Sequence, residues 1–207
     1  ADCPKAALGG VRAIRYVCRD KGIAMTFTIN LLDDTTRPKA PKIEGVTAPQ
    51  RQHGRRLAMI HAMHLQQMRE VRQVLDRVAS GLGAAGDVAA AVASLDMTRN
   101  IRASGNICGQ ECQMLTFHHT AEDQWIFPAL MGRSEGLTKV VERLAEEHLI
   151  IHALIEASAI SAIENPSAEA FGELKEIYDL LETVVQSHFG YEQEELEEAL
   201  GFFEVDV

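Results

Sequence analysis

From about residue 54 to the C-terminus, apolar residues recur every three or four positions, the period of one buried helical face. Leu57, His61, Leu65, Met68, Val71, Leu75 and Val78 trace a first stripe over 55–80, which Gly81, Gly83 and Gly86 are expected to end. Asp87 is a plausible cap for a short helix over 88–95. A second long helix, 106–131, carries Leu115, His118, Glu122, Ile126 and Leu130, and Pro128 must distort its last turn or stop it. The third, 136–163, shows Leu137, Val141, Leu144, His148, His152, Ile155 and Ala159 before Asn165-Pro166 breaks it. The fourth, 168–200, shows Phe171, Leu174, Tyr178, Leu181, Val185, His188, Glu192 and Glu195. Four long amphipathic helices on short links predict an all-α fold, an antiparallel up-down four-helix bundle.

Residues 1–52 lack that stripe and are expected to form an N-terminal extension, with the bundle occupying 53–207. Residues 1–24 are expected to be a short amphipathic helix or irregular. The stretch from Asp33 to Lys42 is polar and broken by Pro38 and Pro41, so 28–52 is expected to be an extended, free arm. The extension contains no histidine and is expected to be dispensable for the site described next.

Composition sharpens this picture in two places. Only 5% of residues are aromatic, and alanine, leucine and glutamate are frequent, which favours helix over sheet. The formal net charge of −10 repels phosphate backbones and anionic membrane surfaces, so neither nucleic acid nor membrane is an expected partner. No apolar run reaches the roughly 20 residues of a membrane span, and no secretory h-region opens the chain. Cys3, Cys18, Cys108 and Cys112 form no CxxC pair or even framework, so disulfides are not indicated and a cytoplasmic location is expected. Cys108 and Cys112 are read as small core residues.

The chemistry lies in the seam. Every long helix interrupts its apolar stripe with histidine or glutamate, groups that cost several kcal/mol each if buried without partners. In an antiparallel bundle, early positions on the first and third helices lie beside late positions on the second and fourth. His61 or His64, His118 with Glu122, His148 with His152, and His188 with Glu192 therefore fall in one layer. The spacing of four puts each pair on one face, one turn apart. His119 and Asp123 form a competing pair rotated by about 100°. Imidazole and carboxylate suit iron, manganese or zinc, and five histidines with two glutamates suit two ions better than one. Neither Glu-x-x-His nor HExxH occurs, which sets aside the ferritin-like and helical zinc-protease patterns. Glu147 is read as part of a solvated face, Tyr178 as core and Tyr191 as bundle rim.

This set of residues resembles the hemerythrin and HHE cation-binding family over about 55–200. The resemblance rests on one histidine on the first helix, His118-xxx-Glu122, His148-xxx-His152 and His188-xxx-Glu192. It also includes the stretch from His118 to Asp123 with Phe127-Pro128, and that from Glu146 to His152. The family alignment selects His61 over His64. Its proline register selects His118 and Glu122 over His119 and Asp123, leaving His119 as an outer contact. The carboxylate of the fourth helix stands at +4, as in bacterial HHE proteins; at +5, the place it takes in oxygen carriers, this chain has Gln193.

The resemblance implies a hemerythrin-like bundle with two iron ions, oxo- or hydroxo-bridged. His61, His118, His148, His152 and His188 are implied as terminal ligands, with Glu122 and Glu192 bridging. It implies a non-haem di-iron protein that binds, stores or senses dioxygen or a related small ligand. The alternative it implies is a di-iron enzyme that decomposes peroxide or carries out another oxidation. It names no catalytic residue and no organic cofactor, and it leaves the oligomeric state open.

Overall fold

A computed structural model describes residues 7–8, 11–20, 23–85, 110–163 and 168–207. The expected helix over 88–95, and the breaks at Gly86 and Asn165-Pro166, lie outside those residues. Strands β1 (Ala7–Leu8), β2 (Val11–Asp20) and β3 (Ile23–Leu31) form an antiparallel sheet in that order. Helix α1 spans Ala48–Gly54 and α2 spans Arg56–Ala85. Helix α3 (Gln110–Ala121) passes through a π turn (Glu122–Ile126) into α4 (Phe127–Leu130). Helices α5 (Glu135–Ile163) and α6 (Ala168–Phe202) complete the chain.

The bundle is the one the stripes predict, with α2, α3–α4, α5 and α6 each packed against two neighbours in an up-down ring. One boundary shifts. Helix α2 runs through Gly81 and Gly83 to Ala85, because the roughly 1 kcal/mol that a glycine costs a helix interior does not stop one packed along its length. Pro128 distorts the end of the second helix, as the sequence led one to expect, and the helix stops at Leu130. The wider turn before it, closed by a bond from the Phe127 amide to the Glu122 carbonyl, leads into a new helical start with proline in its first turn.

The core is split into two apolar clusters. One holds Met68, Leu75, Leu115, Ile151, Leu181 and Val185; the other holds Leu57, Ile126, Leu130, Leu144, Leu196 and Leu200. Each long helix contributes to both, and the histidines and glutamates of the seam lie between them. Among the described residues, no helix is long and apolar enough to cross a membrane.

The N-terminal extension departs from expectation. Residues 1–24 were expected to be helical or irregular, yet β2 and β3 pair in register from Arg12↔Leu31 to Asp20↔Ile23. The signal was a strict alternation of Ile23, Met25, Phe27, Ile29 and Leu31 with smaller or polar residues. Ile29 joins the first apolar cluster, so the hairpin is docked on the bundle.

The arm is anchored to the bundle, and its end is helical, as α1, rather than extended. Arg37 grips both oxygens of Glu147 at 2.9 Å and reaches Ser187. The Ala40 amide donates to Glu195, the Tyr191 hydroxyl donates to the Pro38 carbonyl, and Lys39 pairs with Glu194 and Glu195. Thr47 then caps α1 through a capping box with Gln50, and Arg51 and Arg55 pair with Glu198 and Glu197. The acidic end of α6 is thus largely an anchor for the extension rather than a solvated face. Cys112 is buried in the core, as read from sequence, but it is disulfide-bonded, which its spacing did not indicate.

Helices α1 and α6 cross at two glycines. A Cβ on Gly54 would overlap the carbonyl of Glu197, and one on Gly201 would overlap that of Gln50. Both obstacles are backbone, which cannot rotate aside. Gly201→Ala is expected to destabilise the chain by about 1–3 kcal/mol, the usual cost of overpacking. Urea denaturation checks this, and an unchanged midpoint would show that α1 swings away freely.

Candidate metal centre

The buried layer is built from side chains at matching heights on the four long helices. His61 and His64 come from α2, and His118, His119 and Glu122 from α3 and its π turn. Glu147 and His148 come from α5, and His188 and Glu192 from α6; all are buried or nearly so. Their ligand atoms form two groups, each within 4.8 Å: His61, His118 and Glu122 in one, His119, His148 and His188 in the other.

The glutamates reach across both groups. Glu122 places Oε1 3.1 Å from His118 Nε2 and Oε2 3.5 Å from His148 Nε2. Glu192 Oε2 lies 3.4 Å from His61 Nε2 and 3.8 Å from His188 Nε2. Among the described residues, the four oxygens of these two carboxylates have no hydrogen-bond partner beyond the other carboxylate.

The rings are aimed from behind. His148 Nδ1 is 2.9 Å from Asp123 Oδ1, and His188 Nδ1 is 3.0 Å from Glu147 Oε2. A carboxylate only accepts, so each Nδ1 carries the proton and each Nε2 turns a lone pair inward. Those two Nε2 atoms face each other at 3.2 Å. His61 and His118 also meet Nε2 to Nε2, at 3.1 Å, and the Gln193 amide nitrogen lies 2.9 Å from His61 Nδ1. An amide exchanges its oxygen and nitrogen by a half-turn, so Gln193 is able to accept the Nδ1 proton of His61. The +5 position of α6 thereby has a role in orienting His61.

Burial governs the protonation of the layer. It is the largest cause holding His118 near 3, and it takes His61 and His119 well below the ordinary imidazole value. Burial also lowers His188 to about 4, against an opposing hydrogen bond from Glu147. Burial pushes Glu122 far up, helped by the charge of Glu192, and takes Glu192 to about 8. Glu147 goes the other way. Burial would raise it, but hydrogen bonds from His188, Arg37 and Arg143 bring it to about 2. It is an ionised hub between the arm and His188, not the solvated residue expected from sequence.

Of the sequence candidates, His61, His118, Glu122, His148, His188 and Glu192 converge on this layer. His64 stacks on the His118 ring with centroids 5.0 Å apart, and its ring nitrogens are outside both groups. His152 is half-buried and also outside both groups. His119, read from sequence as an outer contact, is fully buried inside the second. Tyr178 donates to the Met68 carbonyl, as a core residue does, and Tyr191 ties down the arm.

A family model described as the hemerythrin HHE cation-binding domain matches residues 55–200, most of the chain. Neither the curated proteins nor the solved structures gave a match.

The shifts set the pH behaviour of the cation-free chain. The imidazoles bind protons less readily folded than unfolded, so their contribution is full above about 6.5 and lost as pH falls toward 4 and below. Glu192, raised from 4.5 to about 8, contributes fully below 4.5 and loses that contribution as pH rises to 8. Chelator-stripped protein is therefore expected to resist urea best near pH 6.5 and to weaken toward pH 8, where only the carboxylate effect remains. Added cation is expected to flatten that decline by favouring ionised carboxylates. A urea midpoint that does not fall between these pH values would contradict the buried-carboxylate picture.

Proposed function

This chain belongs to the hemerythrin HHE cation-binding family, and on that premise we propose that its buried layer holds two iron ions and binds dioxygen. His61 and His118 would hold one ion and His148 and His188 the other, with Glu122 and Glu192 within reach of both groups. The observation that carries this reading is the inward confrontation of His148 Nε2 and His188 Nε2 at 3.2 Å, with each ring backed at Nδ1 by a carboxylate. With Nδ1 protonated, two such lone pairs repel, and burial resists adding the proton that would join them. A cation between them removes the repulsion. The same cations would satisfy the Glu122 and Glu192 oxygens, which have no partner beyond the other carboxylate.

Iron, when bound, supplies a redox-active centre with positions open to a small ligand. The chain supplies the surroundings. Asp123, Glu147 and Gln193 hold three rings in their orientations. Leu115, Leu144, Ile151 and Leu181, all fully buried, exclude water above and below the layer. A dry, narrow layer favours a small neutral ligand over a bulky or charged substrate.

Elemental analysis of protein expressed with ample iron is expected to show about two ions per chain, by the ligand count. Glu122→Ala and Glu192→Ala are expected to lose most of that iron while keeping their helical circular dichroism. Reduced, iron-loaded protein mixed with dioxygen is expected to show an absorbance change that reverses when oxygen is removed. Steady oxygen release from hydrogen peroxide, with no reversible change, would replace oxygen binding with the peroxide-decomposing enzyme. One zinc ion and no iron would overturn the two-iron reading altogether.

A further inference from the structure

We propose that Arg37, in the N-terminal extension, is a positioning residue of the metal layer: it holds Glu147 so that Glu147 fixes the His188 ring. This rests on the two-iron reading above and adds to it a residue that lies before 55, where the family match begins.

The extension presents Arg37 from a preformed turn. Asp33 caps a short helical turn over Asp34–Thr36 by accepting from the Thr35 amide at 2.9 Å, and Arg37 follows it. Arg143 on α5 donates to the Asp33 carbonyl at 2.9 Å and lies 3.2 Å from the Thr36 hydroxyl, which seats that turn on the bundle.

From there the guanidinium touches both helices that carry the second pair of imidazoles. On α5 its Nε and Nη2 donate to the two oxygens of Glu147, each at 2.9 Å, and Glu147 stands next to His148. On α6 its Nη1 donates to the Ser187 hydroxyl at 2.9 Å, and Ser187 stands next to His188. Its Cζ lies 4.7 Å from the centre of the Tyr191 ring, also on α6. Arg37 thus ties α5 to α6 at the height where His148 and His188 bring their Nε2 atoms to 3.2 Å.

Glu147 carries this grip into the layer. Its Oε2 accepts from Arg37 Nη2 at 2.9 Å and from His188 Nδ1 at 3.0 Å. Arg143 donates to Oε1, at 2.8 Å, and leaves Oε2 to Arg37 and His188. Without Arg37 the carboxylate is held at one oxygen and is free to turn the other away from His188. A lysine ammonium lacks the planar fork that engages Glu147 and Ser187 together. Partners that orient a metal-binding ring from behind usually matter to metal affinity by about 10–100-fold.

The test compares Arg37→Gln, Arg37→Lys and Lys39→Met in the full chain. Lys39 anchors the same arm, but through Glu194 and Glu195. Competition against a ferrous-iron chelator is expected to show one ion held about 10–100-fold less tightly in Arg37→Gln, an intermediate loss in Arg37→Lys and no loss in Lys39→Met. Nitrogen NMR of the cation-free chain is expected to show His188 as a single Nδ1-protonated tautomer in the parent and in Lys39→Met, and as a mixture in Arg37→Gln. A merely structural role for Arg37 would not move that tautomer. Helical circular dichroism confirms that each variant is folded. Parent-like iron affinity or a single His188 tautomer in Arg37→Gln would overturn the assignment. An equal loss in Lys39→Met would also overturn it, by making arm docking in general the cause. A parent chain holding one ion or none would overturn the two-iron reading instead, and the cation-free tautomers would still decide the role of Arg37.

Discussion

A four-helix core with water excluded at mid-height cannot leave imidazoles and carboxylates unmatched, and the rest of this structure answers to that constraint. Burial holds the histidines neutral and favours protonated forms of Glu122 and Glu192. Neutral imidazoles leave lone pairs for a cation, and a cation in turn draws the proton off each buried carboxylate. The apolar clusters above and below supply the low dielectric that makes any mismatch expensive. The same packing therefore creates the demand for an ion and shapes the space for it.

Outside the layer, carboxylates and an amide hold the rings, and one of them connects the layer to the N-terminal arm. Glu147 accepts from Arg143 on its own helix, from Arg37 on the arm and from His188 in the layer. The docking of a segment more than a hundred residues distant is thereby linked to the orientation of one ring. The acidic end of α6 attaches the same segment through Lys39, Arg51 and Arg55. Most of these pairs are exposed and weak singly. The Arg37–Glu147 pair is not, because its two parallel bonds are shielded from solvent.

Much of this was legible in the chain itself. Helical periodicity located the four bundle helices, and the interruption of every stripe by histidine or glutamate marked one layer. Spacing of four gave His118 with Glu122 and His188 with Glu192, since i, i+4 residues share a face in any α-helix. The alternation from Ile23 to Leu31 was equally visible and marks a strand. It was divided between a segment expected to be helical or irregular and an arm expected to be extended, so the strand was missed.

What sequence could not decide is what depends on rotation and on distant partners. Periodicity says which residues share a face but not how far that face is turned about the bundle axis. That rotation separates His61 from His64, and it brings His119 among the buried rings of the layer. The π turn at Glu122–Ile126 changes the register of the second helix within the site, which no regular period anticipates. Arg37 meets Glu147 across 110 residues, and only the folded chain brings them together. The residue types and their spacing thus determined that this bundle carries a polar layer suited to cations. The tertiary structure decided which atoms face inward, because each ring has two nitrogens and only its neighbours determine which one keeps the proton.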